Sequence, residues 1–478
     1  MKKAHPHPLD YLFHPRSVAV AGASGRQRPW GGGEMFVRAL QAAEFAGPIY
    51  PLNPNAQQVH GLQCYPSLLD VPGPVDYIIS SIPVKGVMEL VEHAAAKGVR
   101  AIHFFTAGFR ETGEKERIEL EQQILARARQ AGIRLIGPNC MGLYCPSSGL
   151  SFNANFPREA GSVALVSQSG LNAGELVTYA VLRGLRFSKV ISYGNASDLD
   201  ESDFFEYCTA DPETKIIISY IEGVKDGPRF LQAVRAASAA KPTILLKGGV
   251  TAAGTRAAHS HTGSLAGSTQ VWEALCRQTQ VLSVESLDEL EDLAVTCLFL
   301  KRPAGRGVAI VVVGGGTSVL AADMAEKVGL NVPPLSQELQ DELLEFTPIE
   351  GSSVRNPLDA AMALRSRQSF LKMMRLLGNA PDIHVIVILM RIDWGARPGL
   401  EPKGFVRQAA ETVAQASQET ETPIAIAVRP PNSSEVMSML VDFQEQCARA
   451  GLPVYPDITR ALGAISKLLT WHEQRDHV

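Results

Sequence analysis

The chain is 478 residues long, 45% hydrophobic and 20% charged, with a formal net charge of −4. At roughly 150 residues per core this length reads as about three domains, and near-neutrality without a basic block or an aromatic-interleaved basic stripe sets nucleic acid aside as a partner. No apolar signal core follows Met1-Lys2-Lys3-Ala4-His5-Pro6, and no run approaches about 18 apolar residues, so a cytoplasmic protein with no membrane partner is expected.

From residue 17 the pattern is strand, turn and helix, repeated. Ser17–Ala21 runs into Gly22-Ala23-Ser24-Gly25-Arg26, Pro48–Leu52 ends at Asn53-Pro54, and the strand from Tyr77 closes on Ile82-Pro83. Ala101–Thr106 and Ile133–Ile136 follow, the latter before Gly137-Pro138-Asn139-Cys140. Short apolar strands alternating with helical segments predict an α/β fold with a parallel, doubly wound sheet, a Rossmann-type domain over residues 1–148. Ligands of such sheets sit at the carboxyl ends of the strands, which makes Gly22, Ser24, Gly25, Arg26, Asn53, Pro54, Ile82, Pro83 and Asn139 the candidate contacts. The first turn is not a clean G-x-G-x-x-G, and Asn53 stands where an acidic residue would grip a nicotinamide ribose. A nucleotide-like ligand other than NAD fits better.

A second cycle, residues 149–303, opens with Gly161–Val166 and turns through Ser167-Gln168-Ser169-Gly170 into a helix. It continues through strands ending at Asn195 and at Glu222-Gly223, then Thr243–Leu246. A third, residues 304–478, feeds Val308–Val313 into Gly314-Gly315-Gly316-Thr317, with later strands His384–Met390 and Pro423–Val428. Residues 146–160 and 301–307 read as linkers. The seven cysteines are odd in number and scattered, which suits reduced thiols. Cys140 and Cys145 lie close but lack two further ligands, so no metal is predicted.

Ser167-Gln168-Ser169-Gly170 joins a strand to a helix start, where free N–H groups and two hydroxyls form either a phosphate seat or a capped turn without ligand. After Lys247-Gly248-Gly249 a run of small residues leads to His259-Ser260-His261-Thr262-Gly263, a predicted loop in which His261 is either a nucleophile toward phosphorus or an ordinary polar residue. Glu222 reads either as a solvated strand-end carboxylate or as the group that fixes the imidazole tautomer. Taken together, these three features can support phosphohistidine chemistry.

The segments G-F-R-E-T-G at 108–113, G-P-N-C-M-G at 137–142, S-Q-S-G at 167–170 and Y-G-N-A-S-D at 193–198 lie in order along the chain. So do Y-I-E-G at 220–223, S-H-T-G-S-L-A-G at 260–267 and N-P-L-D at 356–359. With these motifs the chain resembles the α subunit of the NDP-forming acyl-CoA synthetases, relatives of succinyl-CoA synthetase, from about residue 10 to about residue 470. The resemblance implies that the first domain binds coenzyme A and that two flavodoxin-like, succinyl-CoA synthetase-like domains follow. It makes His261 the phosphorylated histidine and Glu222 its orienting carboxylate, with Ser167, Ser169, Gly170 and Gly263 around the phosphate. The implied reaction is reversible: acid, CoA and ATP give acyl-CoA, ADP and phosphate.

The family divides this work with an ATP-grasp part that binds ATP or ADP with Mg and relays the phosphoryl group through a second histidine. With no room for that part before Val478, an ATP-grasp β subunit in a hetero-oligomer such as α2β2 is expected. There are departures from the family pattern. Asn55 replaces a lysine common after Asn-Pro, a contact Arg26 or Arg28 could supply, and Gly314-Gly315-Gly316 replaces an amide-bearing turn. Gly31-Gly32-Gly33 is also unusual and is expected to loosen the pocket around the pantetheine or thiol. Two other readings are a stand-alone CoA- or acyl-CoA-binding regulator, and an ATP-independent acyl or carbamoyl transferase.

Overall fold

The computed structural model describes residues 7–24, 32–262, 268–348, 352–360 and 366–476, with residues 259–262 described by backbone alone. Strands β1 (Val18–Ala21), β2 (Ile49–Leu52), β3 (Tyr77–Ser80), β4 (Ala101–Phe104) and β5 (Arg134–Ile136) form one sheet, ordered β2-β1-β3-β4-β5 and parallel throughout. β1, β3 and β4 are buried at every position, which is why they read as continuous apolar runs rather than alternating ones.

The second sheet contains β6 (Gly142–Tyr144), β7 (Val163–Ser167), β8 (Phe187–Ser192), β9 (Ile216–Ile221), β10 (Thr243–Lys247) and β11 (Leu282–Val284), in the order β11-β10-β9-β7-β8-β6. Its pairs are parallel except that β6 joins β8 antiparallel at the edge. The third holds β12 (Val308–Val312), β13 (Leu358–Asp359), β14 (Val385–Met390), β15 (Ile424–Val428) and β16 (Val454–Tyr455), ordered β13-β12-β14-β15-β16 and parallel. Counted within each sheet, the parallel strands share the doubly wound order 2-1-3-4-5, whose switch point lies between the first and third strands.

The helices that matter for the sites are α1 (Gly33–Ala42), α2 (Gly170–Leu182), α3 (Glu201–Ala210), α4 (Ala252–Thr262), α5 (Gly315–Lys327), α6 (Arg367–Gly378) and α7 (Pro402–Glu419). α4 corrects the expected loop around His261. Its Ala252, Ala253, Ala257 and Ala258 are strong helix formers, and the Thr251 hydroxyl accepts from the Gly254 N–H at 3.1 Å to cap the first turn. The 146–160 segment, expected as a linker, is packed. Leu150, Phe152 and Phe156 are buried, and Phe156 meets Tyr144 and Phe152 edge-on.

The chain forms two compact units, one running to Tyr179 together with Arg186–Glu285, the other Ala180–Leu185 together with residues from Ser286 onward. The first unit holds both of the first two sheets. In the second, Asp292 accepts from Arg183 at 2.7 Å and from Arg460 at 2.6 Å, and the Thr296 and Tyr455 hydroxyls lie 2.9 Å apart. These bonds tie the helix Leu287–Phe299 to that unit.

Within the first unit His103, on β4, is 1% exposed and donates from Nε2 to the Cys140 carbonyl at 3.0 Å. Gly142 lies so near the ring that a Cβ there would come within 2.4 Å of it. Burial lowers the imidazole pKa from 6.5 to about 4. The unfolded chain therefore takes up this proton near 6.5 while the folded chain refuses it until about 4, so stability is full above that window and falls as pH drops through it. The loss is on the order of 3 kcal/mol. Urea unfolding at stepped pH should show a decline below pH 6.5 that a His103→Gln variant largely lacks; equal slopes would discount the ring.

Candidate active site

The carboxyl-end turns of the first sheet and the start of α2 enclose a cavity of about 1450 Å³. Gly22, Ser24, Asn53, Pro54, Ile82, Pro83 and Asn139 all line it, as do Ser169 and Gly170 from the second sheet. Gly25, Arg26 and Gly263 lie outside the described residues, as does the side chain of His261, whose backbone belongs to α4.

Local chemistry explains how the rim is held. Gly22 adopts φ +86°, and a Cβ there would sit 2.8 Å from the Ser81 carbonyl oxygen, so the turns after β1 and β3 approach as only glycine permits. Asn53 donates from Nδ2 to the Ala23 carbonyl at 2.7 Å, and its Oδ1 accepts from the Asn55 N–H at 2.9 Å. Its amide is spent on shaping the rim. Asn55, in the place of the family's lysine, is exposed and does not line the cavity.

The Ser167 hydroxyl turns inward. It donates to the Ser169 carbonyl at 2.7 Å and is absent from the cavity lining, whereas Ser169 Oγ accepts from the Asn172 N–H at 3.3 Å. Ser169 and Gly170 therefore line the space, and Ser167 braces the turn behind them.

Glu222 follows β9 and is 5% exposed. Its carboxylate accepts from the Tyr220 hydroxyl at 3.2 Å, and its carbonyl accepts from Lys247 Nζ at 2.6 Å. Burial, then the Glu222 charge, pushes the Tyr220 hydroxyl up to about 12. Burial lowers the Lys247 ammonium, an effect the charge of Glu222 opposes. Gln168, a cavity-lining residue, joins this segment to the wall: its Oε1 accepts from the Glu222 N–H at 2.8 Å and the Gly223 N–H at 3.0 Å. The turns after β7 and β9 flank the switch point of the second sheet, as those after β1 and β3 flank that of the first.

Sequence reasoning passed over the residues that stitch these parts together. Glu111 Oε1 accepts from the Gly108 N–H at 2.6 Å, and Oε2 accepts from Asn195 Nδ2 at 2.6 Å. Lys225 Nζ donates to the Asn195 carbonyl at 2.8 Å, and burial brings its pKa down to about 8. Buried Glu201 is pushed up to about 7. Glu111 and Asn195 stand in the G-F-R-E-T-G and Y-G-N-A-S-D motifs, so the signal was present without a role attached. Among the described residues no cluster of three His, Cys, Asp or Glu side chains could hold a metal ion.

Residues 16–146 match the model of the CoA binding domain, and residues 160–297 that of the succinyl-CoA ligase like flavodoxin domain. The alpha subunit of acetate–CoA ligase [ADP-forming] I from Pyrococcus furiosus is 34% identical over 474 residues, 97% of this chain and 97% of that protein. The chain belongs to the family of ADP-forming acetate–CoA ligase alpha subunits. The corresponding subunit of ligase II from Pyrococcus furiosus is 36% identical over 405 residues, 84% of this chain and 87% of that one. A solved dinucleotide-forming acetyl-coenzyme A synthetase 1 from Ca. Korarchaeum cryptofilum, in complex with phosphate and ADP, superposes with a TM-score of 0.82 at 29% identity and 98% coverage of each chain. For this ADP-forming ligase subunit, the CoA-binding match takes in the rim turns from Gly22 to Asn139. The flavodoxin match takes in Ser167–Gly170, Glu222 and α4.

Replacing Gln168 by Leu removes one acceptor and strands two buried N–H groups, a destabilisation on the order of 2 kcal/mol. Denaturant unfolding measures it, and a midpoint equal to that of the parent chain would show the contact to be idle.

Proposed function

We propose that this member of the ADP-forming ligase family binds coenzyme A in the large cavity and carries a phosphoryl group on His261. The observation that supports this best is the shared wall: Gln168 and Ser169 line the cavity, and Gln168 also holds the backbone of Glu222. Ligand pockets commonly measure about 300–1,000 Å³, and the cavity's 1450 Å³ suits a molecule as long as coenzyme A together with an acyl group.

On this reading the His261 imidazole attacks the phosphorus of an acyl phosphate. The P–O bond to the acyl oxygen breaks, and the acid leaves as its carboxylate. In the synthetic direction a carboxylate takes the phosphoryl group back from the imidazole, and the CoA thiolate then attacks the acyl carbonyl and expels phosphate. Glu222 holds the imidazole tautomer and offsets its positive charge as the N–P bond forms. The start of α2, with Ser169 and Gly170, holds the phosphate; a helix dipole favours an anion there by ~0.3–1 kcal/mol when exposed and up to ~2 when partly buried. Gly263 contributes to the same seat, and Gly25 and Arg26 to the CoA rim.

The nucleotide and its magnesium belong, on this reading, to an ATP-grasp β subunit in a hetero-oligomer such as α2β2, within the cytoplasm. Among the described residues no helix is long and apolar enough to cross a membrane. The three-domain division 1–148, 149–303 and 304–478 gives the CoA-binding, phosphohistidine-bearing and third domains.

Given acyl-CoA and phosphate, the complex with its partner should accumulate an acid-labile, base-stable phosphate on this chain, and His261→Ala should abolish it. A variant that still labels and turns over normally would reject the assignment. Glu222→Gln should slow phosphorylation about 10²-fold or more with little change in CoA affinity; an unchanged rate removes its orienting role.

A further inference from the structure

The second compact unit has a cavity of its own, about 410 Å³, beyond the carboxyl end of β14. β14 is the third-counted strand of its sheet and so borders the switch point, the position at which both sheets of the first unit present their candidate site turns. α6 and α7 form its sides, and the turn Ile392–Ala396 with Arg397 forms its outer wall. That turn is firmly seated: Gly395 packs so tightly that a Cβ would lie 2.4 Å from Phe405 and 2.5 Å from Met439.

The lining has a distinct chemistry. Its body is apolar, with Phe370, Met390, Trp394 and Phe405 prominent, and three arginines but no Asp or Glu border the space. The Arg391 and Arg397 guanidinium groups sit 5.6 Å and 5.2 Å from the centroid of the Trp394 ring. Arg391 is neutralised by a bidentate pair with Asp393 at 2.9 and 2.7 Å, which holds the Asp393 carboxyl below its ordinary range. Arg367 donates to the neutral Gln415 amide at 2.6 Å, and neither Arg367 nor Arg397 has a carboxylate within salt-bridge distance among the described residues. Arg367 and Arg397 are exposed at the mouth of this apolar cavity, and two forks without a carboxylate partner there suit an anion with an apolar body.

We propose that this cavity is a second ligand site, one that takes an aromatic or branched aliphatic monocarboxylate, its body against Trp394 and Phe405 and its carboxylate on Arg397 and Arg367. Its volume suits such an acid and is too small for a whole coenzyme A. Inorganic phosphate lacks the apolar body, and a neutral isostere lacks the charge. The site stands independently of the phosphohistidine reading, since it shares no residue with that one.

The test uses the full chain and phenylacetate, read by tryptophan fluorescence and by calorimetry. Saturable one-to-one binding is expected, with a fluorescence response that Trp394→Phe abolishes although three of the four tryptophans remain. Arg397→Ala together with Arg367→Ala should weaken binding at least tenfold with thermal melting unchanged, and Arg397→Lys should restore part of it. 2-Phenylethanol, the neutral isostere, and inorganic phosphate should neither bind nor displace phenylacetate. No saturable binding, equal binding of 2-phenylethanol, displacement by phosphate, or parent-like affinity in the double variant would each overturn the proposal. The wild-type comparison of acid with alcohol decides the matter even if a variant folds poorly.

Discussion

Strands that run parallel cannot be joined by tight hairpins, so every crossover returns the chain to the same end of the sheet before the next strand begins. The turns that leave the carboxyl ends therefore collect along one edge. Reversal of strand order after the first strand opens a crevice between two of them. The parallel strands of all three sheets obey this constraint, and it accounts for Gly22 facing Ser81, and for Ser167–Gly170 neighbouring Glu222. The chemistry follows from which side chains happen to stand at that edge.

What fills the crevices differs because the turns spend their polar groups differently. Asn53 and Ser167 use their side chains on backbone atoms of their own or adjacent turns, Asn53 while still lining the cavity and Ser167 behind it. Ser169 also caps α2 by accepting from the Asn172 N–H, yet it and Gly170 line the space. Behind them the second sheet buries Lys189 completely and satisfies it with Glu213 at 2.5 Å and Asp211 at 3.4 Å. A buried ammonium is tolerable only when paired in this way.

The parallel architecture was legible from apolar runs of four to six residues ending in Gly, Asn-Pro or Ile-Pro, since burial on both faces leaves no alternation to misread. The seven rim residues of the first sheet that can be placed were legible for the same reason. Four short strands were not: β6, β11, β13 and β16 contain three, three, two and two residues, too few to carry a period. α4 reads as a loop in the sequence because its glycine and hydroxyl residues mask four alanines. Gln168 went unassigned because its role is visible only when β7 and β9 are seen to be neighbours, a fact about strand order rather than about residues near 168.

The passage from the first sheet to the second is abrupt. β5 ends at Ile136 and β6 begins at Gly142, with the wall residues Asn139, Cys140 and Met141 in between, and the Glu111–Asn195 hydrogen bond spans the two sheets a second time. Ser197 donating to Glu121 and Arg134 donating to Asp198 join the same two parts, so among the described residues the walls of the cavity belong to one piece of chain fastened at several points. The two sheets are consequently poor candidates for separation: a chimera that takes the first from one relative and the second from another would have to match all of these fastenings.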